Sequence, residues 1–276
     1  AEVFEEPTYQ TELLSREAKA FITRQNADRP WFLYLAFGAP HYPMMAPQRY
    51  VDRFPASMDR DRRMHAAMIS AIDDGVGEVV TTLRTKGLLN NTCIYFQSDN
   101  GATRESRADH AGRPYAGGSN APFRGWKMGL FEGGIRVPAL LSGPGIPAAK
   151  VIDQPGMSTS VLPTFAAMAG VPVPEGIDGR NAAPLWQTGA SASDEPLFWS
   201  YKNQRAVRLG RWKLILNPPG FGQRMLDTLW LSDLESDPGE KRNWAGSNEG
   251  VVRDLSQRLT NWEKGLGIGK PFTMRS

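Results

Sequence analysis

Residues 95–101 read YFQSDNG, an apolar run that stops abruptly at a carboxylate, an amide and a glycine. Two structures end in this way. In a plain turn, Asn and Gly tolerate positive φ and Asp caps its own backbone. In a parallel strand of an α/β sheet, the residues at the carboxyl end face the crevice where such sheets bind ligands. There Asp99 and Asn100 present two hard oxygens, the donors that Ca²⁺ or Mg²⁺ prefers.

Working outward, the periodicity favours an α/β sheet. Upstream lies an amphipathic helix over residues 12–25, with Leu13, Leu14, Ala18, Phe21 and Ile22 on one side. The uninterrupted run from Trp31 to Phe37, closed by Gly38 and Pro40, predicts a central strand buried on both faces. A long helix over 60–86 follows, with Met64, Ala67, Met68, Ala71, Ile72, Val76, Val79, Val80 and Leu83 at spacings of three and four, ending at Gly87. The strand Thr92–Gln97 then completes a unit of βαβ length. The stretch from Gly101 to Gly134 is glycine-rich, and a loop of that length in a compact domain is usually functional.

Downstream, VPALLSGPG predicts a short strand, and STSVLPTFAAMAG predicts a helix capped by Ser158 or Ser160 and stopped at Gly170. Residues 171–196 read as a connection. Beyond it LFWSY, RAVRLG, RWKLILN and TLWLSDL predict hairpin-length strands, followed by a helix from Glu249 to Lys264. The division expected is an α/β domain over residues 1–190 and a small antiparallel β subdomain with its helix over 191–276.

Bulk properties narrow the function. The chain has 276 residues, 41% of them hydrophobic, with 32 basic and 29 acidic side chains giving a net charge of +3. The charges are well mixed, so no basic stripe argues for nucleic acid. No run approaches the roughly 18 apolar residues of a membrane helix, and the N-terminal stretch lacks the regions of a signal peptide. The single cysteine, Cys93, sits in an apolar run as a core thiol.

Further stretches add chemistry to Asp99 and Asn100. APHYP places His41 at the end of the first expected strand, and FRGWKMG brings Arg124 and Lys127 back after the long loop. A hard-metal pair with a histidine, a lysine and an arginine suits a multiply charged oxyanion. His110, in the glycine-rich loop, is a candidate substrate contact. Asp73 and Asp74 read as helix surface, His65 as a packing residue, and Arg136 with Glu132 as an ion pair framing a loop. Trp199, Trp212 and Trp230 read as core rather than as carbohydrate platforms.

The ordered set PWFLYLAFGAPHYP, SAIDDGVGEVVTTLRTKGLLNNTCIYFQSDNG, FRGWKMGLFEGGIRVPALLSGPG, LPTFAAMAG, AVRLGRWKLI and LSDLESDPGEKRN resembles the second half of a type I sulfatase, of the arylsulfatase family and the alkaline-phosphatase-like fold. The resemblance implies a mixed, mainly parallel sheet flanked by helices. It implies Ca²⁺, alternatively Mg²⁺, as the metal, with Asp99 and Asn100 among its ligands. It implies that His41 donates to a sulfate oxygen and that Lys127 binds the sulfate and neutralises the departing oxygen. In that family a hydrated formylglycine attacks sulfur and the alcohol or phenol leaves.

Three departures stand out. The lysine segment reads R-G-W-K-M-G, with Trp126 and Met128 where the family has glycines, and no C/S-x-P-x-R motif, the source of formylglycine, occurs in the sequence. The family's paired aspartates near its start are also absent. The expectation is therefore the C-terminal part of a sulfuric-ester hydrolase acting on an aryl or carbohydrate sulfate, periplasmic or extracellular by resemblance and inactive alone. It would associate with a missing N-terminal half or with itself. The alternatives are a non-catalytic anion-binding or complementing module, and a phosphonate or phosphate monoester hydrolase of the same superfamily.

Overall fold

The computed structural model describes residues 8–106, 112–189, 195–219 and 227–266. They fall into two compact units, Ala1–Ile94 with Thr103–Ser119, and Tyr95–Ala102 with Asn120–Ser276.

In the first unit helix α1 (Gln10–Thr23) packs along α3 (Arg60–Thr85), with the one-turn α2 (Gln48–Val51) also against α3. The buried side of α1 is Thr11, Ser15, Ala18 and Ile22, a spacing of four, three and four. Ser15 is tolerated there because its hydroxyl donates to the Thr11 carbonyl at 2.8 Å. The 26-residue α3 starts at Asp59, whose carboxylate accepts from the amides of Asp61 and Arg62. It ends at Gly87, whose φ of 70° lets Leu88 return its amide to the Leu83 carbonyl at 2.8 Å. Ile22, Leu83 and Leu88 form one core cluster, joined by Trp31, Leu33 and Ile94.

One expectation fails here. Residues 31–37 are not in a strand: they carry no ladder among the described residues, and they alternate half-buried with exposed, Phe32 and Tyr34 being 69% and 81% exposed. Trp31 and Leu33 pack on the helices and their neighbours point away. The apolar run had suggested burial on both faces, but this chain covers only one.

In the second unit β1 (Ile94–Gln97) pairs with β2 (Ala139–Ser142) in a two-stranded sheet. Strand β1 is two residues shorter at its start than Thr92–Gln97. Between them lies the one-turn α4 (Glu132–Ile135), and after them α5 (Val161–Met168) and α6 (Ala183–Thr188). Ser160 stands at the N-cap of α5 as expected, but it ends the 3₁₀ turn Ser158–Ser160 and no side chain makes a capping hydrogen bond to the helix. Gly170 does stop it, at φ 68°.

The last four strands, β3 (Leu197–Tyr201), β4 (Gln204–Leu209), β5 (Trp212–Leu216) and β6 (Leu229–Asp233), form an antiparallel meander in sequence order, as their hairpin spacing predicts. Helix α7 (Glu249–Gly265) covers one face through Leu255 and Leu259 on Val207, Leu214, Leu216 and Leu231. The opposite face, Ala206, Ile215 and Trp230, packs on Leu130 and Phe131. Both faces are buried, which explains strands that read as continuous apolar runs. Trp230 is accordingly core, 8% exposed.

Candidate functional site

The second unit brings the SDNG and RGWKMG segments together through backbone. Lys127 N donates to the Ala102 carbonyl at 2.9 Å, three residues beyond Asp99, and Gly101 N donates to the Gly134 carbonyl at 3.0 Å. Asn120 ties the same strands of chain. Its Oδ1 accepts from Ala102 N at 2.8 Å, and its Nδ2 donates to the carbonyls of Gly125 (2.9 Å) and Ala102 (3.3 Å).

The approach is close enough that only glycine fits. A Cβ on Gly101 would stand 1.8 Å from the Gly133 carbonyl oxygen, and one on Gly133 would stand 2.5 Å from that of Gly125. The glycine-rich sequence after residue 101 is therefore tightly packed where it meets EGGIR.

The side chains at this junction differ in what they do. Among the described residues the carboxylate of Asp99, the amide of Asn100 and the ammonium of Lys127 make no hydrogen bond or ion pair. Asp99 is exposed, and Asn100 and Lys127 are half-buried. Arg124, by contrast, stacks on the rings of Phe131 and Trp230 at 4.4 and 4.3 Å and donates to the Glu240 carbonyl at 2.9 Å. Burial lowers its guanidinium from the ordinary arginine value, against the pull of Glu240 and Asp237. His41 belongs to the first unit and is exposed. Its Nδ1–H donates to the Tyr42 carbonyl at 2.8 Å, since a carbonyl only accepts. Its Nε2 is then an acceptor in the neutral ring and a donor in the imidazolium. His110 lies outside the described residues.

Beneath the junction sits a charge cluster that the sequence reading did not find. Arg208, Lys213 and Ser232 are direct cross-strand neighbours on β4, β5 and β6. The Lys213 ammonium, with its side chain fully buried, lies 2.8 Å from Glu132 and 3.1 Å from Glu240. Ser232 Oγ donates to Glu240 Oε1 at 3.0 Å and Glu132 N donates to Glu240 Oε2 at 2.5 Å. Burial resists ionisation of Glu132, yet Lys213, helped by Arg208 and Arg136, holds its carboxyl below the ordinary value. Burial pushes Glu240 above it, with Lys213 opposing. Arg136 makes the expected ion pair with Glu132 at 3.7 Å, but Lys213 is the nearer partner. The available signal was a lysine inside the apolar run WKLIL, which burial on both faces obliges to find a counter-charge.

The other readings of polar residues hold. Asp74 makes a two-pronged pair with Arg53 at 2.7 and 2.8 Å. His65 packs beside Tyr115, and burial lowers its imidazole from the ordinary value.

A Sulfatase family model matches residues 2–171, more than half of the chain. The chain belongs to the sulfatase family. Mouse arylsulfatase J is 27% identical over 93% of the chain and 49% of that protein. Dog N-acetylgalactosamine-6-sulfatase is 35% identical over 74% of the chain and 37% of that protein. The crystal structure of Ps i-CgsB in complex with k-i-k-neocarrahexaose superposes with a TM-score of 0.81 at 32% identity, covering 95% of the chain and 56% of that protein. The sulfatase chain thus spans about half the length of the relatives it matches. Its fold is the alkaline-phosphatase-like one of that family, with the four-stranded antiparallel sheet near the C-terminus.

Sulfatases generally use a divalent metal and formylglycine. Asp99 and Asn100 fit a hard cation in donor chemistry but supply two ligands where Ca²⁺ takes about six to eight. Among the described residues no group of three or more His, Cys, Asp or Glu side chains could hold a metal. No described helix is long and apolar enough to cross a membrane.

Proposed function

We propose that this chain is the C-terminal part of a sulfuric-ester hydrolase, contributing sulfate- and metal-binding groups to a site completed by residues outside the sequence. The observation that carries the reading is the set of polar side chains at Asp99, Asn100 and Lys127, without hydrogen-bond or ion-pair partners among the described residues, on backbone segments joined by the Lys127 N to Ala102 bond. Hydrogen bonds and glycines that join those segments while the charges stay without partners among the described residues support a ligand site there.

Asp99 and Asn100 would hold the cation, which supplies positive charge against the sulfate oxygens when bound. Lys127 binds a sulfate oxygen and offsets charge on the departing one, and His41 donates from Nε2 when protonated. Arg124, held by two rings and a carbonyl, supports the lysine segment beside the substrate, and His110 meets the substrate from the loop. The relatives include an arylsulfatase and an N-acetylgalactosamine-6-sulfatase, so the substrate class is an aryl or a carbohydrate sulfate. With no formylglycine motif in the sequence, the 276-residue chain alone is inactive.

The test is turnover of 4-nitrophenyl sulfate by the complete enzyme and by its Lys127→Ala and Asp99→Ala variants. Each substitution should lower turnover about a hundredfold or more with folding intact. Undiminished turnover in Lys127→Ala, or a preference for 4-nitrophenyl phosphate, would overturn the assignment.

A further inference from the structure

The turn that carries Lys127 is held in a conformation its own sequence disfavours. The Trp126 carbonyl accepts from Gly129 N at 3.0 Å, and the third residue, Met128, has a φ of 74°. A closed turn with positive φ at that position is the type II pattern, which calls for glycine or asparagine there. A methionine crowds its Cβ against the following carbonyl. Its side chain is 38% exposed, so burial offsets that strain only in part.

Strained backbone persists where its surroundings over-determine it. Here one side chain does most of that. Gln204 opens β4, is 6% exposed, and reaches the turn with both ends of its amide. Its Nε2 donates to the Met128 carbonyl at 2.9 Å and its Oε1 accepts from Leu130 N at 3.2 Å. From the other side Lys127 N is fixed on the Ala102 carbonyl. The turn is clamped on either flank of Met128, and Lys127 is its second residue, whose side chain leaves from the tip.

We propose that Gln204 is a positioning residue for Lys127: by bracketing Met128 and Leu130 it locks the turn in its left-handed form and fixes where the ammonium meets a sulfate-ester oxygen. This rests on the reading of Lys127 given above. Gln204 touches no substrate, and it acts through two backbone groups.

Steady-state kinetics of the complete enzyme with 4-nitrophenyl sulfate, paired with amide hydrogen exchange of the same protein, test it. Gln204→Met should lower kcat about tenfold or more, since small displacements of a charge-stabilising group are costly, with KM changed less. Adding Met128→Gly should restore most of the loss, because glycine adopts positive φ unaided. Gln204→Glu can make both contacts only as the carboxylic acid, so its activity relative to the unsubstituted enzyme should rise as pH falls. In a Lys127→Ala background Gln204→Met should change nothing further.

Exchange at the Leu130 amide should accelerate at least tenfold in Gln204→Met, with α3 unaffected. Equal losses with and without Lys127, no rescue by Met128→Gly, unchanged exchange at Leu130, or loss of the folded state in both Gln204 variants would overturn the proposal. An unsubstituted enzyme that hydrolyses neither the probe nor a hexosamine 6-sulfate refutes the sulfatase reading instead, and the exchange measurement still decides the clamp.

Discussion

Replacing Lys213 with methionine keeps the apolar stem of the side chain and removes the ammonium with its charge and donors. The ammonium is fully buried and lies within 3.1 Å of two carboxylates, each at most 4% exposed. Breaking one side of a buried ion pair costs about 3–5 kcal/mol, because the abandoned charge stays in low dielectric. Glu132 keeps Arg136 at 3.7 Å and Arg208 at 3.8 Å, and Glu240 keeps Ser232 and the Glu132 amide. The lower end, about 3 kcal/mol, is therefore expected. For a domain of this size that is about 6–12 °C in melting temperature.

The sign with pH is also fixed. In the unsubstituted protein the depressed Glu132 carboxyl stabilises the fold above its unfolded-state value, and that contribution is lost as pH falls through the folded value. The raised Glu240 carboxyl acts oppositely, its cost being relieved as pH falls. In Lys213→Met both carboxyls lose the ammonium and move up, so the deficit is largest near neutral pH and shrinks on acidification. Urea denaturation of both proteins across pH gives the curve, and Glu240→Gln added to Lys213→Met should recover part of the loss. A deficit below about 1 kcal/mol, or one that grows on acidification, would refute the argument.

Gly101→Ala, whose Cβ would meet the Gly133 carbonyl at 1.8 Å, should cost more than about 3 kcal/mol in chemical denaturation. Gly77→Ala, on the exposed side of α3 with nothing within 4 Å, should stabilise by about 0.5–1 kcal/mol. Asn120→Ala should destabilise by about 1–3 kcal/mol through three lost hydrogen bonds, with faster hydrogen exchange at Ala102 as its signature. Long-range ¹H–¹⁵N NMR should find the neutral ring of His41 protonated on Nδ1, and an Nε2–H tautomer would contradict the Tyr42 contact. Calorimetric titration of the 276-residue chain with Ca²⁺ should show only weak binding, whereas tight stoichiometric binding lost in Asp99→Ala would mean that the metal site is complete within the chain.

The sequence by itself determined what periodicity and turn chemistry encode. The 26-residue helix α3, the glycine that ends it, the four-stranded meander and the helix α7 were all legible, because local spacing states which face is apolar and where a chain reverses. Asp99, Asn100 and Lys127 were legible only as candidates, through the ordered set of stretches that resembles the sulfatase pattern, because SDNG alone also suits a plain turn.

Tertiary structure decided what covers each face and what each charge meets. Residues 31–37 read as a strand buried on two sides, yet only the alternate residues Trp31, Leu33, Leu35 and Phe37 find a surface here, since burial depends on neighbours and not on the run itself. Lys213, Glu132 and Glu240 are separated by 27 to 108 residues in the chain and meet only through strand register and a one-turn helix. Gln204 and Asn120 carry no pattern at all, because their role is to satisfy backbone groups that a distant loop exposes, and a partner defined by geometry leaves no period in the sequence.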